Sequence, residues 1–450
     1  MYKRQILGLG AIIGVLPVRG SKGMAYGLTA AVGFIGAWAV LLRPSPSIGK
    51  LLPTLVGTAV SVGILWWFSP RQGPIDDTGR PTTIGPDRRQ FIQGAVGVGS
   101  VAAVTGGVGR MLQQRHEIDS ERADIVLPDV DLQDAAATVT DEFGLGVEGI
   151  TPFVVPNDQF YRIDTALVVP QVSAETWKLN ISGLVDNELE LTYADLLDMP
   201  QMERHITLSC VSNPVGGDLV GNALWQGVSL ASVLNEAGLQ PGAEQVVSRS
   251  IDGWTCGSPT EVIMDGRDAM LAIAMNGEPL PARHGFPVRI VVPGLFGYVS
   301  ATKWVTDIRL TRWQDFDAYW VPRGWSKLGP VKTMARIDTP RSGAGREGEV
   351  AFGGVAWAVH RGVSGVQIRI VPEDGVLADA EWIDAELGSV PSADTWVQWV
   401  HRWDTSGVSP GWYIAEVRAI DDAGEIQPAE PKAVAPDGAQ GYHRIAVDVR

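Results

Sequence analysis

The sequence predicts an α+β protein, with transmembrane helices first, then a mixed α+β domain, then an antiparallel β-sandwich. Charge is split: residues 1–115 hold 12 Lys plus Arg against 3 Asp plus Glu (net +9), and residues 116–450 hold 24 against 48 (net −24). In the middle of the chain, period-two apolar runs and short capped helices are interleaved without a regular βαβ beat. From Thr339 onward short strands recur every 10–15 residues between Gly, Pro and Asp turns, the rhythm of a sandwich. The 450 residues, too many for one ordinary core, divide into a membrane region 1–112, an acidic linker 113–150, a mixed domain 151–335 and a sandwich 336–450.

The membrane region holds three apolar stretches, Ile6–Val18, Met24–Leu42 and Lys50–Phe68. The last two are long enough to cross a hydrocarbon core of roughly 30 Å at about 1.5 Å per residue. The first is short and fits a thinned span or an interfacial segment. Trp66, Trp67 and Phe68 close the third stretch as an aromatic belt. A fourth, Gly-rich stretch, Phe91–Val108, follows Asp87-Arg88-Arg89-Gln90-Phe91-Ile92, which resembles a twin-arginine export signal. The alternative is a pair of positive-inside anchors. With the arginine pair in the cytoplasm, everything after Arg110 lies outside it, so the expected location is the cell membrane with an extracytoplasmic body.

Composition narrows the partners of that body. Nucleic acid needs a basic surface, and the field here has the wrong sign. Only 8 of the 36 basic residues are Lys, which fits a salt-rich habitat or a GC-rich coding bias. Cys210 and Cys256 are too few for a disulfide framework, and a single bridge between them stays open. The plain reading of Cys256 is a small buried apolar residue. None of the six His falls in the apolar stretches, so bis-His haem ligation is not available there.

In the mixed domain, Trp177–Ile181 alternates with period two, Thr192 caps a short helix through Leu197, and Glu203–Cys210 alternates as a strand. Ser229 caps a helix that runs to Gly238, Asn276-Gly277 is a hairpin turn, and Val288–Val292 is a nearly continuous apolar strand. Chemistry concentrates in Ser209-Cys210-Val211-Ser212-Asn213-Pro214-Val215-Gly216-Gly217 and in His284-Gly285-Phe286-Pro287-Val288-Arg289 through Gly297 to Lys303-Trp304. A strand that ends in Cys and opens into a Gly-rich loop presents its sulfur at a rim, where a soft thiolate binds metal. The second segment brings an imidazole, a guanidinium and an ammonium around Gly-rich backbone, the groups that hold a large phosphate-bearing cofactor.

On these residues the chain resembles, over about residues 150–450, the sulfite-oxidase family of molybdenum enzymes. The resemblance rests on Met275-Asn276-Gly277-Glu278-Pro279-Leu280-Pro281 leading into His284–Arg289, then Val291-Val292-Pro293-Gly294 and Lys303-Trp304. It implies a molybdenum–molybdopterin cofactor, with Cys210 as the protein ligand to the metal and His284, Arg289, Ser300 and Lys303 along the pterin and its phosphate. Arg162, in Phe160-Tyr161-Arg162-Ile163-Asp164, is similar to the arginine of the family's early pterin-facing strand, and Asp164 stands where a cofactor-binding His is frequent. Asn213 fits the Cys-x-x-Asn loop. A twin-arginine route would carry such a cofactor across the membrane inside its folded protein. The carboxy-terminal strands, Val350–Val359, Val366–Val371, Thr395–Trp403, Gly411–Ala419 and His443–Val449, resemble the family's immunoglobulin-like dimerisation domain, which implies a homodimer. His360, His401 and His443 lack ligand spacing and read as structural.

Two departures bear on substrate. Enzymes of the family that oxidise sulfite follow Cys-x-x-Asn with an arginine, where this chain has Pro214. They also place a tyrosine where alignment on Trp320 puts Trp325. Losing a cation and a hydroxyl points away from a small doubly charged oxyanion and toward a more apolar pocket, for which Trp325, Trp254 and Cys256 are candidate linings. The catalytic candidates are then Cys210, Arg162 and Trp325. The implied activity is two-electron oxygen-atom transfer on a small S-oxide, N-oxide or related substrate. The alternatives are a sulfite dehydrogenase, a non-catalytic membrane-anchored immunoglobulin-like binding module, and a scaffold for a redox partner. No haem-attachment or iron–sulfur Cys spacing is present, so no haem and no iron–sulfur cluster is expected, and electrons pass to or from a quinone-linked protein or a cytochrome.

Overall fold

The computed structural model describes residues 21–41, 48–69, 71–75, 81–84 and 118–450 apart from 140–142, 344 and 347, with residues 16, 89 and 93 singly. The chain forms two compact units, Met1–Glu117 and Ile118–Arg450.

In the first unit, α1 (Lys22–Leu41) and α2 (Ile48–Phe68) pack against each other. Gly33 makes the close approach possible, because a Cβ there would run into the side chain of Thr58. Phe34, Ile35, Trp38, Val60 and Trp66 are exposed. A two-stranded antiparallel ribbon, β1 (Arg71–Ile75) with β2 (Pro81–Ile84), follows. The second and third apolar stretches are therefore helical, as their length and apolarity predict. Among the described residues no helix is long and apolar enough to cross a membrane, the described side chains being those of residues 23–38 of α1 and of residues 51 and 54–67 of α2. The first and fourth apolar stretches and Arg88 lie outside the described residues.

The second unit is mostly β, with short helices, so the helical share expected of the mixed domain is smaller than its pattern suggests. The acidic stretch expected as a linker runs along the body. In it α3 (Ile118–Asp124) buries Ile118, and Glu121 accepts hydrogen bonds from Ser173 Oγ (3.1 Å) and the amide of Ala174 (2.6 Å). Arg122 donates to the carbonyls of Leu280 (2.7 Å) and Pro279 (2.8 Å). Farther on, the amide of Glu203 donates to Asp134 O and the side chain of Gln226 to Pro128 O.

One five-stranded sheet has the order β4 (Leu189–Thr192), β3 (Lys178–Gly183), β12 (Val305–Thr311), β7 (Gln245–Ser250), β8 (Thr255–Pro259), with only β3 and β12 parallel. Another runs β10 (Glu278–Pro279), β9 (Met270–Met275), β6 (Val220–Ser229), β5 (Met202–Ser209), with β11 (Arg289–Val291) also paired to β9. Local signals set the ends of these elements. Thr192 and Asp195 close a capping box on α4 (Tyr193–Asp198). Ser229 caps α5 (Leu230–Ala237), which stops at Gly238 with φ of 72°; each such cap is worth about 1 kcal/mol. Asn276 and Gly277, both at positive φ, turn β9 into β10. A shared apolar core built around Trp225, Phe286 and Trp304 binds the sheets together.

The carboxy-terminal part is a sandwich. One sheet is β13 (Met334–Thr339), β15 (Glu349–Trp357), β19 (Val397–Asp404), β18 (Glu386–Leu387); the other is β14 (Gly345–Arg346), β21 (His443–Val449), β20 (Gly411–Asp421), β16 (Val363–Pro372), β17 (Ile383–Asp384). Their inner faces meet in a second core of Phe352, Ile368, Trp399, Val417 and Val447. Trp396 crosses into the first core, where its indole donates to Phe153 O at 2.9 Å. The two parts belong to one compact unit.

Candidate active site

Strand β5 ends at Ser209, and the amide of Cys210 donates to Leu219 O at 2.9 Å, closing the mouth of the β5–β6 hairpin. Asn213 organises the loop between. Its amide donates to Cys210 O (3.0 Å) and its side-chain oxygen accepts from the Leu219 amide (3.0 Å). Gly217 is needed there, because a Cβ would strike Asn213 Oδ1 and the Pro214 ring. The loop leaves Cys210 8% exposed on the wall of a cleft, with the Ser212 amide donating to its sulfur at 3.4 Å. Burial pushes the thiol pKa up, against smaller downward effects of Ser212 and Lys303. A thiol in that position becomes a thiolate when a metal shares its charge. Both cysteines are free, so the bridge left open by the sequence is not formed.

Cationic groups stand around the sulfur. Arg289 leaves β11 fully enclosed, its guanidinium 4.8 Å from the Trp225 ring centroid and Nη1 donating to His284 O at 3.2 Å. Among the described residues no carboxylate pairs with it and its Nε has no partner, and burial lowers its pKa to about 10. Lys303 donates to Asp164 Oδ2 and Arg283 O, each at 3.3 Å. Its pKa falls to about 7, chiefly through burial and then through Arg289, with Asp164 pulling the other way. Asp164 in turn holds Arg162 by two bonds of 2.7 and 3.1 Å. His284 Nε2 donates to Asn157 O at 2.8 Å, which leaves Nδ1 as an acceptor. Burial, assisted by the three nearby cations, holds its pKa at about 3, so the ring is neutral.

The cleft is walled on its outer side by Tyr161, Ile163, Trp254, Tyr298, Trp320 and Trp325. Trp325 meets Trp320 edge-on, with centroids 6.2 Å apart, and Tyr298 at 5.9 Å. Burial raises the pKa of Tyr161, and Cys210 adds to the rise. Of the residues singled out by sequence, Cys210, Asp164, Arg289, Lys303, Trp254 and Trp325 line the cleft. His284 and Asn213 are buried one contact behind it, and Arg162, exposed, reaches it only through Asp164. Ser300 does not face the cleft: its hydroxyl is engaged with the carbonyls of Phe296 (3.0 Å) and Leu295 (3.2 Å). Cys256 is likewise enclosed behind the wall, among the hydroxyls of Ser248, Ser258 and Thr302, which fits the plain reading of it and not a lining role. Arg323 lies over the Tyr319 ring at 3.7 Å and donates to Tyr319 O. Sequence reading missed Tyr161, Ile163 and Tyr298 as lining and used Trp320 only as the anchor that placed Trp325. Tyr161 and Ile163 flank the Arg162 already singled out, and that adjacency was the only available signal.

Several buried polar atoms near the cleft have no partner: His284 Nδ1, Arg289 Nε, Asn213 Nδ2, Ser250 Oγ and Trp254 Nε1. Such atoms are costly unless a guest satisfies them. An acceptor, several donors, an unneutralised guanidinium and a thiol suit a large anionic hydrogen-bonding group that carries a metal. Among the described residues no cluster of three His, Cys, Asp or Glu could hold a bare ion, so any metal here draws most of its ligands from such a group.

Comparison with known proteins agrees. Residues 166–320 match the model of the oxidoreductase molybdopterin-binding domain. The mitochondrial sulfite oxidase of Drosophila melanogaster is 28% identical over 349 residues, 66% of this chain and 60% of that protein. The sulfite oxidase of Arabidopsis thaliana is 26% identical over 343 residues, 63% and 85% of the two chains. An uncharacterized oxidoreductase of Bacillus subtilis, YuiH, is 33% identical over 153 residues, 34% of this chain and 74% of that one. In fold, the sulfane dehydrogenase SoxCD of Paracoccus pantotrophus is similar, with a TM-score of 0.52 at 23% identity over 64% of this chain and 77% of that one. The chain spans about 60% of the length of the Drosophila enzyme it matches.

Proposed function

Since the chain belongs to the family of oxidoreductases built on the molybdopterin-binding domain, we propose that it is a membrane-anchored molybdenum enzyme that exchanges an oxygen atom with a small neutral S-oxide, N-oxide or related molecule. The observation that carries this reading is the cleft itself, in which a single thiol faces an unneutralised guanidinium below an aromatic mouth. When bound, the cofactor supplies a two-electron centre for oxygen-atom transfer. Cys210 is the protein's ligand to the metal. Arg289 and Lys303 neutralise the phosphate, while His284 Nδ1 and Asn213 Nδ2 offer an acceptor and a donor to the pterin. Tyr161 keeps its phenolic proton through the physiological range and holds a hydrogen-bond donor toward the reacting centre.

Substrate charge follows from the mouth. Arg162 lies close by, but its guanidinium is committed in two-pronged fashion to Asp164, and Trp325 and Trp320 present faces that favour an apolar substituent over an anion. The names of the sulfite oxidase relatives favour sulfite dehydrogenation as the second reading. Metal and pterin analysis of the purified protein, followed by a dye-coupled screen of S-oxides, N-oxides and sulfite, tests both; protein free of molybdenum and pterin after expression in a cofactor-competent host would sink the proposal.

Anchoring is supported by the exposed apolar side chains of α1 and α2 and by the twin-arginine pattern, and an extracytoplasmic body by the same pattern. The expected readout is that replacing Arg88 and Arg89 by Lys blocks export, and that an alkaline phosphatase fused after Arg450 is active. Electrons would pass to a cytochrome or quinone-linked protein. The sandwich, read as the immunoglobulin-like dimerisation domain, would pair two copies, which sedimentation of the detergent-solubilised protein would detect.

A further inference from the structure

The carboxy-terminal sandwich reaches the loop that carries Cys210, and it does so with two side chains. His443, the first residue of β21, places its ring against Gly216; a Cβ on Gly216, which has φ of 75°, would fall within clashing distance of His443 Cδ2 and Nε2. The ring is fixed from its other side, because Nδ1 accepts the amide of Ile337 at 3.0 Å. One residue along the loop, Gly217 O accepts from Arg336 Nη1 at 2.8 Å. Arg336 is itself clamped, with Nε on Asp338 Oδ1 (2.6 Å) and Nη2 on Thr151 Oγ1 (2.8 Å). Asp338 completes the frame by accepting the Thr151 amide at 2.9 Å.

We propose that His443 and Arg336 are positioning residues for the Cys210 thiolate, so that the sandwich sets the direction from which the sulfur meets the metal. A loop held only at its hairpin base keeps a choice of conformations; one pressed by an imidazole at Gly216 and tied by a guanidinium at Gly217 does not. A thiolate needs that constraint, since small displacements at a reacting centre are costly. No role in binding substrate is assigned to either residue. The proposal rests on Cys210 being the metal's protein ligand, and its test is chosen to read the loop whether or not that ligation holds.

The test uses the full-length protein, with and without cofactor. In cofactor-free protein, the rate at which iodoacetamide alkylates Cys210 reports the loop directly, and Cys256, fully enclosed, is the internal control. His443→Ala should speed Cys210 alkylation about five- to tenfold with Cys256 still protected. His443→Asn, whose Oδ1 takes the place of Nδ1 and keeps an acceptor for the Ile337 amide, should fold like the parent and give a smaller rise in the same direction. Gly216→Ala should change the rate as well, and the double variant Gly216→Ala with His443→Ala should return to within about twofold of the His443→Ala value, since the ring it collides with is gone. In loaded protein the same variants should shift the visible sulfur-to-metal absorption band. If both His443 variants leave the alkylation rate unchanged, or if the effects of Gly216→Ala and His443→Ala simply multiply, the sandwich only packs against the loop and the proposal is overturned. Altered alkylation with an unmoved band would keep the loop contact and overturn the positioning role, whereas a band that survives Cys210→Ser would remove ligation by Cys210, so the two failures are distinguishable.

Discussion

Replacing Arg289 by Met should have opposite effects on the cofactor-free protein and on cofactor retention. The guanidinium is buried, lacks a carboxylate partner among the described residues, and has its pKa lowered by two to three units to about 10. At roughly 1.4 kcal/mol per pH unit, the charged side chain costs the empty fold about 3 kcal/mol. The sign is that of a base with a depressed folded-state pKa: the penalty is complete below about pH 10 and relieved only toward the ordinary guanidinium value, so it is constant at neutral pH. Methionine removes the penalty, but it also loses the stacking on Trp225, worth about 1 kcal/mol, and the bond to His284 O, worth about 1 kcal/mol. The net expectation is a gain of about 1 kcal/mol for the empty protein. Cofactor binding should weaken by about 1.5–3 kcal/mol, one to two decades, with the loss of a charge-assisted contact to phosphate. Urea unfolding of cofactor-free protein and pterin content after dialysis measure the two effects. A clearly less stable empty protein that keeps its pterin would refute this account and make Arg289 a structural residue.

Lys303 should give the empty protein a pH signature. Unfolded, it keeps its proton to about 10.5, and folded it gives it up near 7, so between those values the unfolded state holds more protons and stability rises with pH; Lys303→Met should flatten that rise in chemical denaturation at pH 7 and pH 9. Cofactor affinity should fall over the same interval, as the ammonium that meets the phosphate is lost, and calorimetry near pH 8 should record proton uptake on binding. Cys210→Ser should abolish turnover and lower molybdenum content while changing stability by no more than about 1 kcal/mol, with pterin still held by His284, Arg289 and Lys303; activity lost only in proportion to unfolded protein would return the thiol to a packing role. Sulfite should be turned over one to two decades less efficiently than the best neutral S-oxide or N-oxide, the equivalent of about 1.5–3 kcal/mol, and equal kcat/KM values would show that inference to be wrong.

Sequence disclosed this site best where local chemistry and backbone geometry coincide. Cys210 could be placed because a strand ends there and Gly216 and Gly217 follow. Thr192, Ser229 and Asn276-Gly277 mark their elements because capping and turn formation are local. Strands covered on both faces were harder to see. In β6 nearly every residue from Val220 to Val228 is buried, and β8 is buried throughout, so neither shows an alternation from which to choose a face. That is why Cys256 could be drawn toward the cleft when it points behind it. Ser300 was misplaced for a related reason: its neighbours in sequence line the site, but the tight turn at Gly297–Val299 directs its hydroxyl to backbone carbonyls. The contacts of Arg336 and His443 with the Cys210 loop join segments more than 100 residues apart, and no periodicity records such a meeting.

The acidic stretch ahead of the body changes how the body would respond to force. A pull on the chain from its amino-terminal side would be resisted at Arg122 and Glu121, well before residue 150. Arg122 hands the load to Pro279 and Leu280, in the segment that leads into His284. With His284 holding the pterin as proposed, mechanical tension and cofactor retention would share one short piece of backbone, and a shortened chain beginning at residue 150 would lose the brace that steadies it.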